Sequence, residues 1–176
     1  MIADKIRAIL LDADNRNMQP LTELLLYIAA RTQHVSDVIA PALHTGSVVL
    51  CDRFTDATMA YQHNGRGIDR AVIEMLNSLA CRSIRPDLTV LIDCDVAAAL
   101  GRARSRIEGS SGPREERFEL EELSFHQRVR AGYLEQAARE PERFLIIDGS
   151  GTVDEVSNAV SAGVGAFIKD KTDALC

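Results

Sequence analysis

Lysine is almost absent from this chain. Three of its 176 residues are lysines, Lys5, Lys169 and Lys171, whereas seventeen are arginines. A phosphate-binding loop of the form GxxxxGK(S/T) needs a lysine directly after its second glycine. The sequence has no lysine between Lys5 and Lys169, and neither end carries the required glycines. The sequence as printed therefore excludes such a loop.

Long apolar runs and paired cysteines are missing as well. No run approaches the roughly 20 apolar residues that span a bilayer, and charged residues interrupt the N-terminal segment where a signal peptide would be apolar. We therefore expect a cytoplasmic protein with no membrane partner. No two cysteines form a CxxC pair, so neither a zinc site nor a disulfide framework is expected. The cysteines are Cys51, Cys81, Cys94 and Cys176.

The composition is that of a globular domain, with 46% apolar and 26% charged residues. A chain of this length can bury a substantial core, and we expect a single domain over residues 1–176. The net charge of −6 argues against a protein that coats nucleic acid. A GC-rich genome could explain the number of arginines, but it does not explain why seven of them fall between Arg102 and Arg130.

Short apolar segments alternate with longer segments of helical periodicity. The predicted strands are Val48–Cys51, Leu88–Ile92 and Phe144–Ile147, each followed by an aspartate. The predicted helices are Ile2–Leu11, Leu21–His34 with a kink expected near Pro41, Asp69–Cys81, Val96–Arg106, Glu119–Arg139 and a last helix that begins with the capping box Thr152–Glu155. Fully apolar strands that alternate with helices are typical of a parallel sheet with helices on both faces, so an α/β fold is predicted.

The segment from Val48 to Asp69 carries the first candidate site. A short apolar strand ends there in Asp52-Arg53, followed by a polar loop. Parallel sheets bind ligands at the carboxyl ends of their strands, and the planar fork of an arginine suits a phosphate. The alternative is a strand that ends in a surface ion pair.

Two further groups of residues suggest nucleotide chemistry. Tyr27 and Arg31 lie four residues apart and share one helix face, where a ring and a guanidinium could hold a planar base. The alternative is a core tyrosine beside a solvated arginine. The arginine-rich stretch before and after the loop Gly109–Pro113 could be a lid that closes on a polyphosphate, or a solvated helix with many ion pairs.

Taken in order, these segments resemble bacterial thymidylate kinases over essentially the whole chain. The matching motifs are E-LLL-Y-x-x-x-R at Glu23–Arg31, DRF-x(6)-YQ at Asp52–Gln62, RGID at Arg66–Asp69, PDLTVLID at Pro86–Asp93, RARSR at Arg102–Arg106, and ERFE joined to FHQRVRAGYLE. The resemblance implies a parallel sheet like that of the P-loop nucleoside monophosphate kinases, with helices on both faces. It also implies transfer of the γ-phosphoryl group of MgATP to thymidine monophosphate (dTMP), with Mg²⁺ as cofactor, and a homodimer formed through the helical face next to the acceptor site.

The resemblance gives the acceptor-site residues their expected roles. Tyr27 would stack on thymine, and Arg31 would bond to the base. Thr58 and Gln62 would line the pyrimidine, and Tyr61 would fill the space that a ribose 2′-hydroxyl needs.

The phosphate and donor sites are assigned in the same way. Arg53 would hold the dTMP phosphate, Asp52 would lie by the magnesium ion, and Arg7 would lie near the nucleotide. The resemblance places catalytic and ATP-binding arginines in a lid of about residues 102–118. These are Arg102, Arg104, Arg106 and Arg117.

The sequence departs from the family pattern at several points. Ala57 stands where a serine is usual, and the loop Glu108–Glu116 is longer than usual. The resemblance implies a first strand and phosphate loop that this sequence does not contain, so we expect an N-terminally incomplete kinase. That strand would lie between the strands at Val48–Cys51 and Leu88–Ile92, whose edges would be left unpaired without it.

Two alternatives stay open at this point. One is a non-catalytic nucleotide-binding or regulatory remnant that kept the acceptor pocket. The other is a related deoxynucleoside kinase, in which thymidine rather than its monophosphate would be the acceptor.

Overall fold

The computed structural model describes residues 1–108 and 117–173, except for the side chains of residues 104 and 106–108. The predicted lid loop lies largely outside these residues. The helices are α1 (Ile2–Leu11), α2 (Pro20–His34), α3 (Ala40–His44), α4 (Thr55–Thr58), α5 (Arg70–Cys81), α6 (Val96–Glu108), α7 (Leu123–Arg139) and α8 (Val153–Asp173). Two short 3₁₀ turns, Ala13–Asn15 and Pro141–Arg143, and two π-helical segments, Val35–Ile39 and Met59–Gly65, connect them.

The predicted starts of α5 and α8 are confirmed by their caps. The carboxylate of Asp69 accepts a hydrogen bond of 2.7 Å from the backbone N–H of Ala71 at the start of α5. Before α8, the Thr152 hydroxyl accepts from the N–H of Glu155, and the Glu155 carboxylate accepts from the N–H of Thr152. These bonds satisfy backbone donors that a helix leaves free at its first turn.

The helical region is divided near Pro41, as the sequence predicts. Helix α2 runs into the π-helical segment Val35–Ile39, and α3 follows with Pro41 near its start. Proline cannot donate a backbone hydrogen bond, and its ring clashes with the carbonyl four residues earlier. A π-helical turn is one way in which a helix absorbs such a disruption.

Helix α7 begins at Leu123 rather than at the predicted Glu119. The chain before it forms turns, and in that stretch Arg117 and Phe118 are both buried. The backbone N–H of Arg117 is 3.4 Å from the carbonyl of Leu11. Because this stretch packs inward against α1 and α2, it cannot continue the helix.

The sheet of the described residues consists of two parallel strands, β1 (Thr89–Asp93) and β2 (Phe144–Asp148). Their register pairs Thr89 with Phe144 and Asp93 with Asp148. Helices α7 and α8 both pack against β2, and Gly163 allows α8 to approach Leu145 closely. The α/β fold with a parallel sheet is therefore confirmed.

The prediction of a buried strand at Val48–Cys51 is wrong. This segment has no strand conformation, and Val48 and Leu50 are 83% and 91% exposed. Its apolar, β-branched residues fit a strand, but a strand forms only where a neighbour pairs with its backbone. Within residues 1–108 and 117–173, no neighbouring strand pairs with it.

Two apolar clusters hold the helices together and meet at the segment Thr55–Gly65. One joins α2, α5 and this segment through Leu24, Ile28, Met59, Ile73, Ala80 and Cys81. The other joins the segment to α7 through Ala60, Phe118, Phe125 and Val129. A third contact ties it to the sheet: Asp56 receives two hydrogen bonds from Arg143 and one from the Thr89 hydroxyl. The segment that carries Thr58, Tyr61 and Gln62 is therefore fixed from three sides.

Candidate functional site

Arg31 forms the centre of the candidate site. Its guanidinium donates hydrogen bonds to the Asn77 side chain at 2.7 Å, to the Phe54 carbonyl at 2.9 Å and to the Thr58 hydroxyl at 2.7 Å. None of these partners is charged, and no ion pair involves Arg31 in the part of the chain that the structure describes. Burial lowers the pKa of Arg31, yet an arginine stays protonated in proteins. The site therefore holds a positive charge that has no ion-pair partner among the described residues.

Tyr27 lies one turn before Arg31 on the same face of α2. Its ring centroid is 6.4 Å from that of Phe118, which in turn lies 5.4 Å from the ring of Tyr61 in an edge-on arrangement. Tyr61 also meets Tyr133 edge-on at 6.5 Å. We call these four rings the aromatic cluster.

Tyr27 and Tyr133 are uncharged at neutral pH. Burial, reinforced by the negative charge of Glu23, raises the pKa of Tyr27 to about 12. Burial also raises the pKa of Tyr133. Each ring therefore offers a neutral face for stacking or a phenol O–H for hydrogen bonding.

Arg53 is placed at the edge of the aromatic cluster by a strained backbone. Its φ of 64° lies in the left-handed region, which residues other than glycine rarely adopt. The guanidinium carbon of Arg53 lies 5.2 Å from the centroid of the Tyr61 ring, within the range of a cation–π contact. Strained residues of this kind concentrate at ligand-binding sites.

Gln62 and Arg117 converge on a group that sequence reasoning did not assign, the carboxylate of Glu23. The Gln62 amide donates to Glu23 at 3.0 Å, and Arg117 forms an ion pair with it at 2.7 Å. Arg66 donates to both Glu23 oxygens and also pairs with Glu121. Burial opposes the ionisation of Glu23, but hydrogen bonds from Arg66 and Gln62 outweigh it and hold the pKa of Glu23 below its ordinary value.

Several sequence-predicted residues are not brought into this group. Arg7 lies exposed on α1, and Asp52 is exposed beside Arg53. Arg102 is on α6, where its guanidinium lies 3.5 Å from the sulfur of Cys94. The backbone positions of Arg104 and Arg106 are in α6, but their side chains lie outside the described residues.

The structure thus brings together Tyr27, Arg31, Arg53, Thr58 and Tyr61 around the aromatic cluster, with Gln62 and Arg117 behind it. Sequence reasoning did not assign roles to Asn77, Phe118 or Glu23. A signal for Glu23 was available, because it is an acid on the helix face that carries Tyr27 and Arg31 at four-residue spacing. Asn77 and Phe118 gave no such signal, since each meets the site only through long-range packing.

Metal-binding potential is limited in the chain itself. Among the described residues, no group of three or more His, Cys, Asp or Glu side chains could hold a metal ion. A single carboxylate such as that of Asp52 nevertheless fits Mg²⁺, which proteins commonly hold through one or two carboxylates together with substrate phosphates.

None of the described helices is both long enough and apolar enough to cross a membrane.

Comparison with known proteins places this arrangement in a family. A sequence model of thymidylate kinase matches residues 1–160. A thymidylate kinase of Pelobacter propionicus is 66% identical over 163 residues, which are 93% of this chain and 74% of that protein. One of Trichlorobacter lovleyi is 62% identical over 163 residues, covering 93% and 77% of the two chains.

A solved structure agrees with these sequence matches. The crystal structure of thymidylate kinase from Ehrlichia chaffeensis superposes with a TM-score of 0.64 and 30% sequence identity. The match covers 85% of this chain and 66% of the Ehrlichia chain. The chain described here therefore belongs to the thymidylate kinase family, whose members are nucleoside monophosphate kinases.

Proposed function

We propose that this chain carries the acceptor site of a thymidylate kinase, an enzyme that transfers the γ-phosphoryl group of MgATP to dTMP and yields thymidine diphosphate. The observation that carries the proposal is the half-buried charge of Arg31, which has no ion-pair partner among the described residues, is bonded to Thr58 and lies one helical turn from the ring of Tyr27. A planar base with carbonyl oxygens at its edge is complementary to that arrangement.

Thymine would enter between the ring of Tyr27 and the polar groups of Arg31 and Thr58. Stacking of a base on an aromatic side chain contributes roughly 1–3 kcal/mol. Arg31 would donate to a carbonyl oxygen of the base. Tyr61, held edge-on by Phe118, would exclude a ribose 2′-hydroxyl and so favour the deoxynucleotide.

Arg53 would bind the 5′-phosphate of dTMP. The residue is exposed at the edge of the aromatic cluster, and its guanidinium contacts the ring of Tyr61. Two parallel N–H donors of a guanidinium match two phosphate oxygens. The strained backbone at Arg53 would direct its guanidinium toward the phosphate of dTMP.

The donor side would depend on arginines and a metal ion. Asp52 would hold Mg²⁺ together with phosphate oxygens, and the ion would neutralise charge on the phosphates. In the lid, Arg102, Arg104 and Arg106 would contact ATP. Arg117 is also assigned to the lid, but its guanidinium forms an ion pair with Glu23. Arg7 is exposed on α1 and would lie near the bound dTMP.

A homodimer is also proposed, formed through exposed apolar side chains of α2 and α5. The two helices pack against each other, and their outer sides carry Leu21, Leu25, Met75 and Leu79. Apolar side chains that cluster on one surface mark an interaction site. A second copy of the same surface would cover them.

The test is the binding of dTMP to this chain by calorimetry, run in parallel with a coupled assay for phosphoryl transfer from MgATP. Arg53→Ala removes the proposed phosphate clamp and is expected to weaken dTMP binding about tenfold or more, since a charge-assisted hydrogen bond contributes roughly 1.5–3 kcal/mol. Arg70→Ala is the matched control, because Arg70 is an exposed arginine on α5 that pairs with Glu74. Loss of dTMP affinity in both variants, or in neither, would contradict the proposed clamp.

A second candidate function is nucleotide binding without turnover. The observation that favours it is that Tyr27, Arg31, Arg53, Thr58 and Tyr61 come together in this chain, since these residues can bind an acceptor nucleotide without holding donor phosphates. The same experiment separates the two functions. Binding of dTMP with turnover supports the kinase, and binding without turnover supports the second candidate for this chain on its own.

A further inference from the structure

Glu23 is the most completely enclosed charged group among the described residues, with 0% of its surface exposed. Its carboxylate accepts hydrogen bonds from Gln62 at 3.0 Å and from Arg66 at 3.2 and 3.1 Å, and it forms an ion pair with Arg117 at 2.7 Å. These donors come from segments about 40 and more than 90 positions away in the sequence. One carboxylate thus joins α2, the π-helical segment and the chain that precedes α7.

Arg117 depends on Glu23 more than Arg66 does. Arg66 has a second carboxylate partner in Glu121. Arg117 is only 4% exposed. Its guanidinium also donates a hydrogen bond to the Leu10 carbonyl, and its Nη2 nitrogen has no hydrogen-bond partner among the described residues. Glu23 is its one carboxylate partner among those residues, and a buried charge that loses its counter-charge strongly destabilises the folded chain. The place of Arg117 is therefore set by Glu23.

The place of Arg117 in turn affects the aromatic cluster. Phe118 follows it directly, and the guanidinium carbon of Arg117 lies 4.5 Å from the centroid of the Phe118 ring. That ring contacts both Tyr27 and Tyr61. Gln62, which also donates a hydrogen bond to the Glu23 carboxylate, directly follows Tyr61 in the sequence. Glu23 is thus linked to both tyrosines that the proposed function assigns to the base and the sugar.

We propose that Glu23 is a positioning residue of the acceptor site, which sets the relative positions of Tyr27, Tyr61 and Phe118 by holding Gln62, Arg66 and Arg117. The inference deepens the proposed function and rests on it for the identity of the ligand. Glu23 itself is behind the aromatic cluster and makes no contact with the substrate. It acts on selectivity through the rings that it places.

The chain contains a built-in probe of this arrangement. It has no tryptophan and only three tyrosines, and these are Tyr27, Tyr61 and Tyr133, all members of the aromatic cluster. The tyrosine band in near-ultraviolet circular dichroism therefore reports on the cluster alone. This measurement needs no ligand, so it stays informative whether or not dTMP binds.

The test compares Glu23→Gln with the unmodified chain. Glutamine keeps the shape of the side chain but removes the charge and turns an N–H₂ group toward donors. We expect the near-ultraviolet tyrosine band to weaken while the far-ultraviolet spectrum stays that of the folded chain. We also expect the preference for dTMP over the corresponding ribonucleotide to fall about threefold or more, since small displacements of positioning groups have large effects.

Two further variants keep the outcome decisive. If Glu23→Gln does not fold, the double variant Glu23→Gln with Arg117→Met removes the unpaired buried cation and is measured in the same way. Glu74→Gln removes a carboxylate from the exposed ion pair with Arg70 and is expected to change neither readout. A lower melting temperature with an unchanged tyrosine band and unchanged selectivity would overturn the inference, because Glu23 would then affect stability only.

The two proposals fail separately. If the unmodified chain binds neither nucleotide, the proposed function fails, and the tyrosine band still decides whether Glu23 positions the cluster. If the unmodified chain binds dTMP and the Glu23 variants keep both the band and the selectivity, the proposed function stands and the positioning role is lost.

Discussion

At the residue scale, Arg53 combines a proposed binding role with a backbone conformation that a glycine would adopt more easily. Its φ of 64° costs an L-residue roughly 1–2 kcal/mol, so Arg53→Gly is expected to be more stable than Arg53→Ala by roughly 0.5–1 kcal/mol after the extra chain entropy of glycine is subtracted. Both variants lack the guanidinium, and both should lose affinity for dTMP. Urea denaturation measures the first effect and calorimetry the second.

Ser83 provides the control for this prediction. It also has a left-handed φ, 72°, and lies in the turn that follows α5. Ser83→Gly should therefore exceed Ser83→Ala in stability by a similar amount, with no effect on dTMP binding. If Arg53→Gly were less stable than Arg53→Ala, the backbone at Arg53 would not be strained in solution, and its aiming role would have to be abandoned.

At the element scale, the packing of α7 on the π-helical segment depends on Gly65. A Cβ atom at this position would lie 2.7 Å from the Phe125 ring and 3.1 Å from a Val129 methyl group. Gly65→Ala should therefore destabilise the chain by about 1–3 kcal/mol, the usual cost of overpacking a core. Gly165→Ala in α8, where nothing lies within 4 Å of the added carbon, should be neutral or stabilising by up to about 1 kcal/mol. Equal urea midpoints for the two variants would contradict this packing.

The helices and strands also differ in how far the sequence alone predicts them. The start of α5 follows from Asp69, and that of α8 follows from Thr152 and Glu155, because a cap needs only neighbours in the chain. The segment Val48–Cys51 has the composition of a strand, but a strand needs a partner that no local pattern supplies. Tyr27 and Arg31 were identified because they share a helix face, whereas their contacts with Phe118 and Asn77 depend on packing between distant segments.

At the scale of the whole molecule, two of the exposed apolar surfaces lie on the segments that carry the candidate site. One is the segment Val48–Leu50, next to the candidate site. The other is the outer side of α2 and α5, and α2 also carries Glu23, Tyr27 and Arg31. A partner that covers the second region would therefore rigidify the helix that supports the proposed acceptor site, which links the proposed dimer to dTMP affinity.

The dimer is tested by placing charge on its proposed surface. Met75 and Leu79 are 63% and 75% exposed on α5, so Met75→Glu with Leu79→Glu should leave the fold intact but prevent two copies from associating, because buried unpaired carboxylates are costly. Sedimentation equilibrium should then give the monomer mass of 19.3 kDa for the variant and twice that for the unmodified chain. Val153→Glu, an equally exposed apolar position at the start of α8, should remain dimeric. A monomeric unmodified chain, or a charged variant that still dimerises, would show that the outer side of α2 and α5 is not the interface.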